Sequence, residues 1–292
     1  MRKILFTATI GLMIFLASLS TENLRVEHVI EVEPLEPPPS KAVNLWWQTN
    51  TLTATGHGSA PEGQEVTRRT KTLAKRAAMS DAYRNLAEQV ANVHVTAEKT
   101  LVKTQVDAVI QFVTVVSEEY DEFGNCTVVV SVPVFGVTNS VAQVAFPPVD
   151  KQSFPPPSTN VSAQGNYTGL IIDCGDAELN PVLSPEIRNE DRTIYAYGNL
   201  ERQKVLERGV VGYVDTSAED FTFGNKVFAA EADSRVGNNP LVVKVSQLSA
   251  DGTCPVISTA DADKILAENQ ISHFLDDGAV VFQSNRIRGM RM

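Results

Sequence analysis

Two aspartates after a predicted strand are the first candidates for chemistry. The apolar run Thr168–Asp173 is followed by Cys174, Gly175 and Asp176. Carboxylates just beyond a strand act as general acids, nucleophiles or cation ligands in many enzymes. The run lacks the alternating oxygen ligands and closing glutamate of a calcium loop. A turn whose aspartates accept backbone hydrogen bonds explains it more simply, and a carboxylate-dependent hydrolase is kept as the less favoured alternative.

His57 and a pair of tryptophans are the next candidates. His57 stands between two glycines, but no second histidine or carboxylate lies near it at ligand spacing. A turn residue is therefore the favoured interpretation. Trp46 and Trp47 could stack on a glycan or small ligand, which gives a ligand-binding protein as a further alternative. Such pairs more often belong to the core beside a strand.

Three cysteines, Cys126, Cys174 and Cys254, leave two interpretations open. In an oxidising compartment Cys174 and Cys254 could form a disulfide, and two buried apolar thiols fit equally well. The sequence has no Cys-x-x-Cys, no Gly-x-Ser-x-Gly elbow, no phosphate loop and no dinucleotide glycine pattern. We therefore expect a protein that is not an enzyme, with no catalytic residue, no cofactor and no metal site.

A basic cluster opens a predicted helix and consists of Arg68, Arg69, Lys71, Lys75 and Arg76. Positive charge at a helix start opposes the macrodipole. Helical spacing puts Arg68, Lys75 and Arg76 on the side that later becomes apolar, so the helix start is expected to overhang the core. The cluster has two interpretations. It is either a docking surface for an acidic partner or an anionic membrane, or a solvated face whose apolar side-chain stems lie on the protein while the charged ends stay in water.

The N-terminus has the three-part build of a secretory signal peptide. Met1–Lys3 is basic, Ile4–Leu19 is apolar and uncharged, and the chain turns polar at Ser20. The apolar run is shorter than the roughly 20 residues that span a bilayer, so cleavage is favoured over retention as an anchor. With its first cysteine at Cys126, the chain offers no nearby lipid acceptor. We expect a periplasmic or outer-envelope protein that touches a membrane only through an uncleaved N-terminal segment.

Composition and proline content suggest how the chain is divided. A length of 292 residues predicts two domains, and a net charge of −10 argues against a nucleic-acid partner. The proline-rich segment around residue 150 can form neither a helix nor the hydrogen-bond ladder of a sheet, which marks a domain boundary. The predicted ranges are a signal peptide at 1–20, an acidic Pro-rich spacer at 21–42, an α+β domain at 43–146, a Pro-rich linker at 147–164, a second domain at 165–288 and a tail at 289–292.

The first domain is predicted to pack helices on an antiparallel sheet, an α+β arrangement. A strand over 47–58 ends where Gly56–Gly63 breaks it, and a helix over 67–92 follows. That helix buries a stripe of Met79, Ala82, Tyr83, Leu86 and Val90, and Ala74, Ala77 and Ala78 would allow it to approach a sheet closely. A shorter helix over 102–111 precedes a hairpin with arms at 113–121 and 126–135.

The second domain is predicted to be mostly β with one helix. Ser258 and Asp261 form a capping-box start for a helix that runs through Glu268. The predicted strands are 168–173, 193–195, 210–214, 240–246 and 278–282. A hairpin turn at 189–192 leads into the strand at 193–195.

Three runs together resemble a known family. They are Ala54–Glu62, Ala74–Glu88 and Val132–Gly136. In order and spacing they resemble the LPP-twenty lipoprotein family and the N-terminal domain of flagellar assembly protein T, over about residues 45–145. The second domain is similar, more loosely, to a module that accompanies this one in exported bacterial proteins. The resemblance implies no known catalysis and, in some members, support of flagellar basal-body ring assembly.

The leading hypothesis is an exported, non-enzymatic envelope protein that acts as an interaction or assembly module. Its expected partners are envelope or flagellar basal-body proteins, and self-association into an oligomer is left open. A periplasmic ligand- or glycan-binding protein is the first alternative, and the hydrolase using Asp173 and Asp176 is the second.

Overall fold

A three-stranded antiparallel sheet with helices on one face forms the first part of the fold (residues 46–146). The computed structural model describes residues 46–96, 98–217 and 235–288, so the predicted signal peptide, spacer and tail lie outside the described residues. The sheet has the order β1-β5-β4. The elements of this part are α1 (Trp46–Thr49), β1 (Thr51–Gly58), α2 (Arg68–Ala91), β2 (His94–Thr96), β3 (Lys99–Thr100), α3 (Lys103–Ile110), β4 (Thr114–Tyr120), β5 (Cys126–Pro133) and α4 (Val141–Ala145).

The predicted hairpin is confirmed as β4 and β5, and its second arm provides much of the core. Val128, Val130, Val132 and Val134 alternate along the chain and are all fully buried, as the two-residue period of a strand requires. The helices predicted at 67–92 and 102–111 are confirmed to within a residue or two as α2 and α3.

Helix α2 lies against β1 along a seam of very small residues. A Cβ added to Gly56 would come within 2.2 Å of the Ala78 carbonyl oxygen, and one added to Gly58 within 2.0 Å of the Ala74 carbonyl oxygen. The predicted end of the strand at Gly58 is confirmed, and both glycines admit the helix. Ala74, Ala78, Ala82 and Leu86 are fully buried along this seam.

Seating α2 on the glycines also changes the predicted buried stripe. Met79 and Tyr83 are only half-buried and Ala77 is exposed. Thr70 and Ala74 are buried in the first turns, so the helix start does not overhang the core as expected. The predicted strand also began too early, since Trp46–Thr49 forms a helical turn that ends at Asn50, where φ is 54°.

The second part (residues 165–288) is built on a parallel sheet of order β10-β6-β13-β9. The α+β class is confirmed, and the predicted helix extends past Glu268 to Ser272, where His273 caps it in a left-handed conformation. A helix over Arg202–Arg208 was not predicted. The elements are β6 (Gly169–Asp173), β7 (Ile187–Arg188), β8 (Thr193–Tyr195), α5 (Arg202–Arg208), β9 (Gly212–Asp215), β10 (Pro240–Lys244), β11 (Gln247–Leu248), β12 (Pro255–Val256), α6 (Thr259–Ser272) and β13 (Val280–Ser284).

The two parts share one hydrophobic core within a single compact unit. The Gly136 N–H donates to the Leu206 carbonyl at 2.6 Å, and the Leu183 N–H donates to the His94 carbonyl at 3.0 Å. The Arg202 guanidinium donates to the carbonyls of Gln143 and Phe146 at the end of α4. The boundary predicted at 147–164 stays a prediction, but the two parts are joined by contacts on both sides of it.

The proline-rich connection is an ordered strap (residues 152–165) that lies on the second part. It contains no helix or strand, as its prolines predict. The Gln152 N–H donates to the Gly198 carbonyl at 2.7 Å, and the Phe154 ring stacks on Tyr195 with 6.3 Å between centroids. The strap is therefore held by specific contacts along its length.

Two buried carboxylates of α6 hold the far half of the strap. Asp263, 1% exposed, accepts the Ser158 N–H at 2.6 Å and both the N–H and hydroxyl of Thr159 at 2.9 and 2.6 Å. Glu268, also 1% exposed, accepts the Gln164 and Gly165 N–H groups at 2.8 Å. Hydrogen bonds from Thr159 and Ser158 lower the pKa of Asp263, because they favour the ionised form.

Replacing Gly58 with alanine tests the seam. The added methyl group would collide with the backbone of α2, which cannot move without shifting the helix, so we expect the free energy of unfolding to fall by about 3 kcal/mol or more. Gly136→Ala is the matched control, because its Cβ would meet nothing nearer than 3.4 Å. Urea unfolding measures the free energy of unfolding of both variants. Equal values for the two would contradict the close contact between α2 and β1.

Asp263→Asn tests the strap. An asparagine cannot accept all three hydrogen bonds with the carboxylate's geometry, so we expect faster proteolytic cleavage within residues 152–165. Since the folded-state pKa of Asp263 is lowered, its contribution to stability is full above the unfolded value of about 3.9. That contribution disappears as pH falls through the folded value, so the wild type should lose more stability on acidification than the variant. Glu190→Gln, at an exposed position, is the control. Identical cleavage rates in the wild type and both variants would show that Asp263 does not hold the strap in place.

Candidate functional site

The start of α2 is fixed by a reciprocal cap that places the basic cluster. The Thr67 hydroxyl accepts the Thr70 N–H at 3.2 Å, and the Thr70 hydroxyl accepts the Thr67 N–H at 2.8 Å. Such a cap satisfies N–H groups that have no partner within the helix. The cap and the glycine seam together set which cluster residues reach β4 and which reach solvent.

Two members of the cluster are engaged by the edge strand β4. Lys75 Nζ lies 2.5 Å from Glu118 Oε2, and Lys71 Nζ lies 5.3 Å from the centre of the Tyr120 ring. The Tyr120 hydroxyl donates to Glu118 Oε1 at 2.8 Å. The hydrogen bond from Lys75 lowers the pKa of Glu118, and burial raises the pKa of Tyr120. Both lysines therefore attach the helix to the sheet edge.

The other three members point to solvent. Arg68, Arg69 and Arg76 are exposed, and none forms an ion pair within the part of the chain that the structure describes. Arg69, Leu73 and Arg76 follow the i, i+4, i+7 spacing of one helix face, and Leu73 is 43% exposed. No carboxylate occurs between Val66 and Ser80. We call Arg68, Arg69, Leu73 and Arg76 the α2 basic face.

The two aspartates beyond β6 are occupied by local hydrogen bonds. Asp173 Oδ1 accepts the Gly175 N–H at 3.1 Å, as the turn interpretation expects. Asp176 Oδ1 accepts a hydrogen bond from the Asn285 side-chain amide. Asp173 thus stabilises the turn after β6, and Asp176 joins that turn to the residue that follows β13.

His57 and the tryptophans occupy different environments. His57 is an exposed strand residue rather than a turn residue, and its Nδ1 lies 3.3 Å from the Thr127 hydroxyl. Trp46 is only 2% exposed and contacts Trp47, Phe135 and Tyr213. Trp46 is therefore a core residue and does not form an exposed stacking platform with Trp47, and both residues line a cavity.

All three cysteines are free thiols, so the structure contains no bond between Cys174 and Cys254. Cys126 and Cys174 are buried, and Cys254 is half-buried. Burial, with the nearby Asp173 charge, raises the pKa of Cys174 to about 12, and burial also raises the pKa of Cys126. Both are therefore poor nucleophiles at neutral pH, since the thiolate is the reactive form.

A groove of about 580 Å³ runs between the strap and α6. Asp276 at its edge accepts from Lys151 at 3.0 Å and from Asn269 at 3.1 Å. Burial opposes ionisation of Asp276, but these two hydrogen bonds outweigh it and lower its pKa. Ser153 also lines the groove, and no hydrogen bond joins it to His273 among the described residues. These polar groups therefore connect the residue just before the strap, Lys151, to α6 and the turn that follows it.

The described ranges contain neither a metal-binding cluster nor a membrane-spanning helix. Over residues 46–96, 98–217 and 235–288, no three histidine, cysteine or carboxylate side chains are grouped so that they could hold a metal ion. In the same ranges, no helix has the length and apolar character needed to cross a bilayer.

Comparison with known proteins shows a family match in the second part. Residues 169–285 match the family described as Treponema pallidum Tp0624, second domain. The matched range begins at the first residue of β6 and ends one residue after β13, so it contains the whole parallel sheet. It covers less than half of the chain and does not reach residues 46–146, where the resemblance to the LPP-twenty family stays a prediction. No curated protein matches the chain.

Proposed function

We propose that the protein is an exported, non-enzymatic interaction module of the cell envelope that docks an acidic protein partner on the α2 basic face. The observation that carries the proposal is the separation of the basic cluster. Lys71 and Lys75 are engaged by β4, whereas Arg68, Arg69 and Arg76 are left exposed around Leu73. Arginine and exposed apolar side chains in one patch are typical of protein interfaces.

Charge supports an acidic partner. The whole chain carries a net charge of −10, yet the exposed face from Arg68 to Ser80 bears only positive charge. The N-terminal end of the α2 macrodipole adds to that local positive potential. A complementary acidic surface would be steered to this face and would gain affinity from desolvated arginine contacts.

The resemblance supports an envelope role and one class of partner. The signal-peptide pattern of residues 1–20 points to export, and the likeness of residues 45–145 to the LPP-twenty family and flagellar assembly protein T points to assembly work in the envelope. Flagellar basal-body ring proteins are accordingly the partners that we propose. The hydrolase alternative is less favoured, because Asp173 and Asp176 each serve in a loop hydrogen bond.

Charge reversal on the α2 basic face tests this function. We expect crosslinking and affinity purification of the tagged protein from intact envelopes to enrich basal-body ring proteins, as read by mass spectrometry. The double variant Arg69→Glu with Arg76→Glu should reduce that enrichment at least about tenfold, since interface arginines contribute on the order of 2 kcal/mol and the new charges repel an acidic partner. Lys244→Glu, on the exposed side of β10, is the matched control.

Stability separates docking from folding in the same experiment. Arg68 and Arg69 oppose the macrodipole of α2, so Arg69→Gln should raise the free energy of unfolding by a few tenths of a kcal/mol while weakening capture. Recovery of the ring proteins at wild-type levels by the double variant would remove the face from consideration. Failure of the wild type to enrich them would refute the proposed partner.

A further inference from the structure

A partly open cavity of about 270 Å³ lies where α1 and the end of β5 meet the second part. Its volume is at the lower end for small-molecule sites, which restricts it to small ligands. The cavity is lined by Trp46, Trp47, Gln48, Asn50, Phe135, Glu207, Arg208, Val211, Gly212, Tyr213, Val214, Arg235 and Val281.

The apolar wall of the cavity is preformed. Trp46 meets Trp47 edge-on with 6.0 Å between ring centroids, and it meets Tyr213 edge-on at 6.3 Å. Phe135 lies 6.0 Å from Trp46 on another side. Interlocked aromatic rings of this kind are held in place by their mutual packing, so a flat apolar group could enter with little rearrangement of the wall.

Two side chains at the cavity have N–H groups left without acceptors among the described residues. Trp47 Nε1 is buried and has no hydrogen-bond partner within the described ranges. The Arg235 guanidinium donates to the carbonyls of Gly278, Gly209 and Arg208 at 3.0, 2.8 and 2.5 Å, and no carboxylate of the described residues pairs with it. A guanidinium has five N–H donors, so donors remain. Burial lowers the pKa of Arg235 to about 10, which still leaves it charged at neutral pH.

The acceptors around the cavity are already in use or at its rim. The Asn50 side chain is engaged by the Phe135 backbone, donating to its carbonyl at 3.2 Å and accepting its N–H at 2.7 Å. Glu207 is exposed and accepts from Gln203. A positive charge without a carboxylate partner and a buried N–H without an acceptor are costly, and an anionic group that contacts both would relieve both costs.

We propose that this cavity binds a small aromatic carboxylic acid, with the carboxylate on Arg235 and Trp47 Nε1 and the ring against Trp47, Phe135 and Tyr213. The donor excess selects an anion, and the aromatic wall selects a flat apolar body. The site shares no residue with the α2 basic face, so it does not depend on the proposed docking function.

Isothermal titration calorimetry of the full chain with 2-naphthoate and benzoate tests the site. The neutral isosteres 2-naphthamide and benzamide are the ligand controls, because they keep the ring and remove the charge. We expect at least one acid to bind at neutral pH, and its amide to bind at least about tenfold more weakly, since hydrogen bonds to charged groups are the strong ones. No detectable binding of either acid at millimolar concentration, or equal binding of acid and amide, would overturn the proposal.

Trp47→Phe tests the buried N–H without removing the aromatic ring. We expect the variant to bind the acid about tenfold more weakly, with an unchanged circular dichroism spectrum. Wild-type affinity in this variant would exclude Trp47 Nε1 from the site. Arg235 also caps the end of α5, so its replacement would disturb the fold. The charge of Arg235 is therefore tested by comparing acid with amide on the wild type.

Discussion

The backbone contact between α2 and β1 is the constraint on which the rest of the first part depends. Only a residue without a side chain permits a helix to approach a strand as closely as it does at Gly56 and Gly58. The alanines at Ala74, Ala78 and Ala82 complete the contact on the helix side. Once the helix is seated there, its rotation about its own axis is fixed, because any turn would force larger side chains into the seam.

That fixed rotation decides what each residue of the basic cluster can do. Lys71 and Lys75 face the edge strand, where Tyr120 and Glu118 receive them. These lysine contacts place charged side chains beside an edge strand, which is one way that proteins discourage unwanted strand pairing. Arg69 and Arg76 lie on the opposite flank with Leu73 between them. The lysine contacts with β4 and the candidate docking face thus arise from the same first turns of α2.

Local patterns predicted most elements, and contacts between distant segments account for what they missed. The alternating valines of β5 and the cap at Thr67 act within a few residues, so the hairpin and α2 could be read from sequence. The strand end at Gly58 could be predicted, but the reason why Gly56 and Gly58 are glycines lies in a helix some twenty residues later. Asp263 and Glu268 gave no signal, since their partners are backbone N–H groups of the strap about a hundred positions earlier. The unpredicted α5 is short, and its arginine Arg202 is explained only by the carbonyls at the end of α4.

The same long-range contacts explain why the cavity could not be anticipated as a site. The sequence placed Trp46 and Trp47 together as a stacking pair, but the helical turn α1 buries Trp46 in the core, and both residues line the cavity. Arg235 reaches that cavity from the second part and is held there by carbonyls at the end of α5 and before β13. A binding site of this kind exists only when both parts are packed together, because each contributes one donor and part of the aromatic wall. The shared core is therefore what forms this cavity in a chain whose separate segments contain no binding motif.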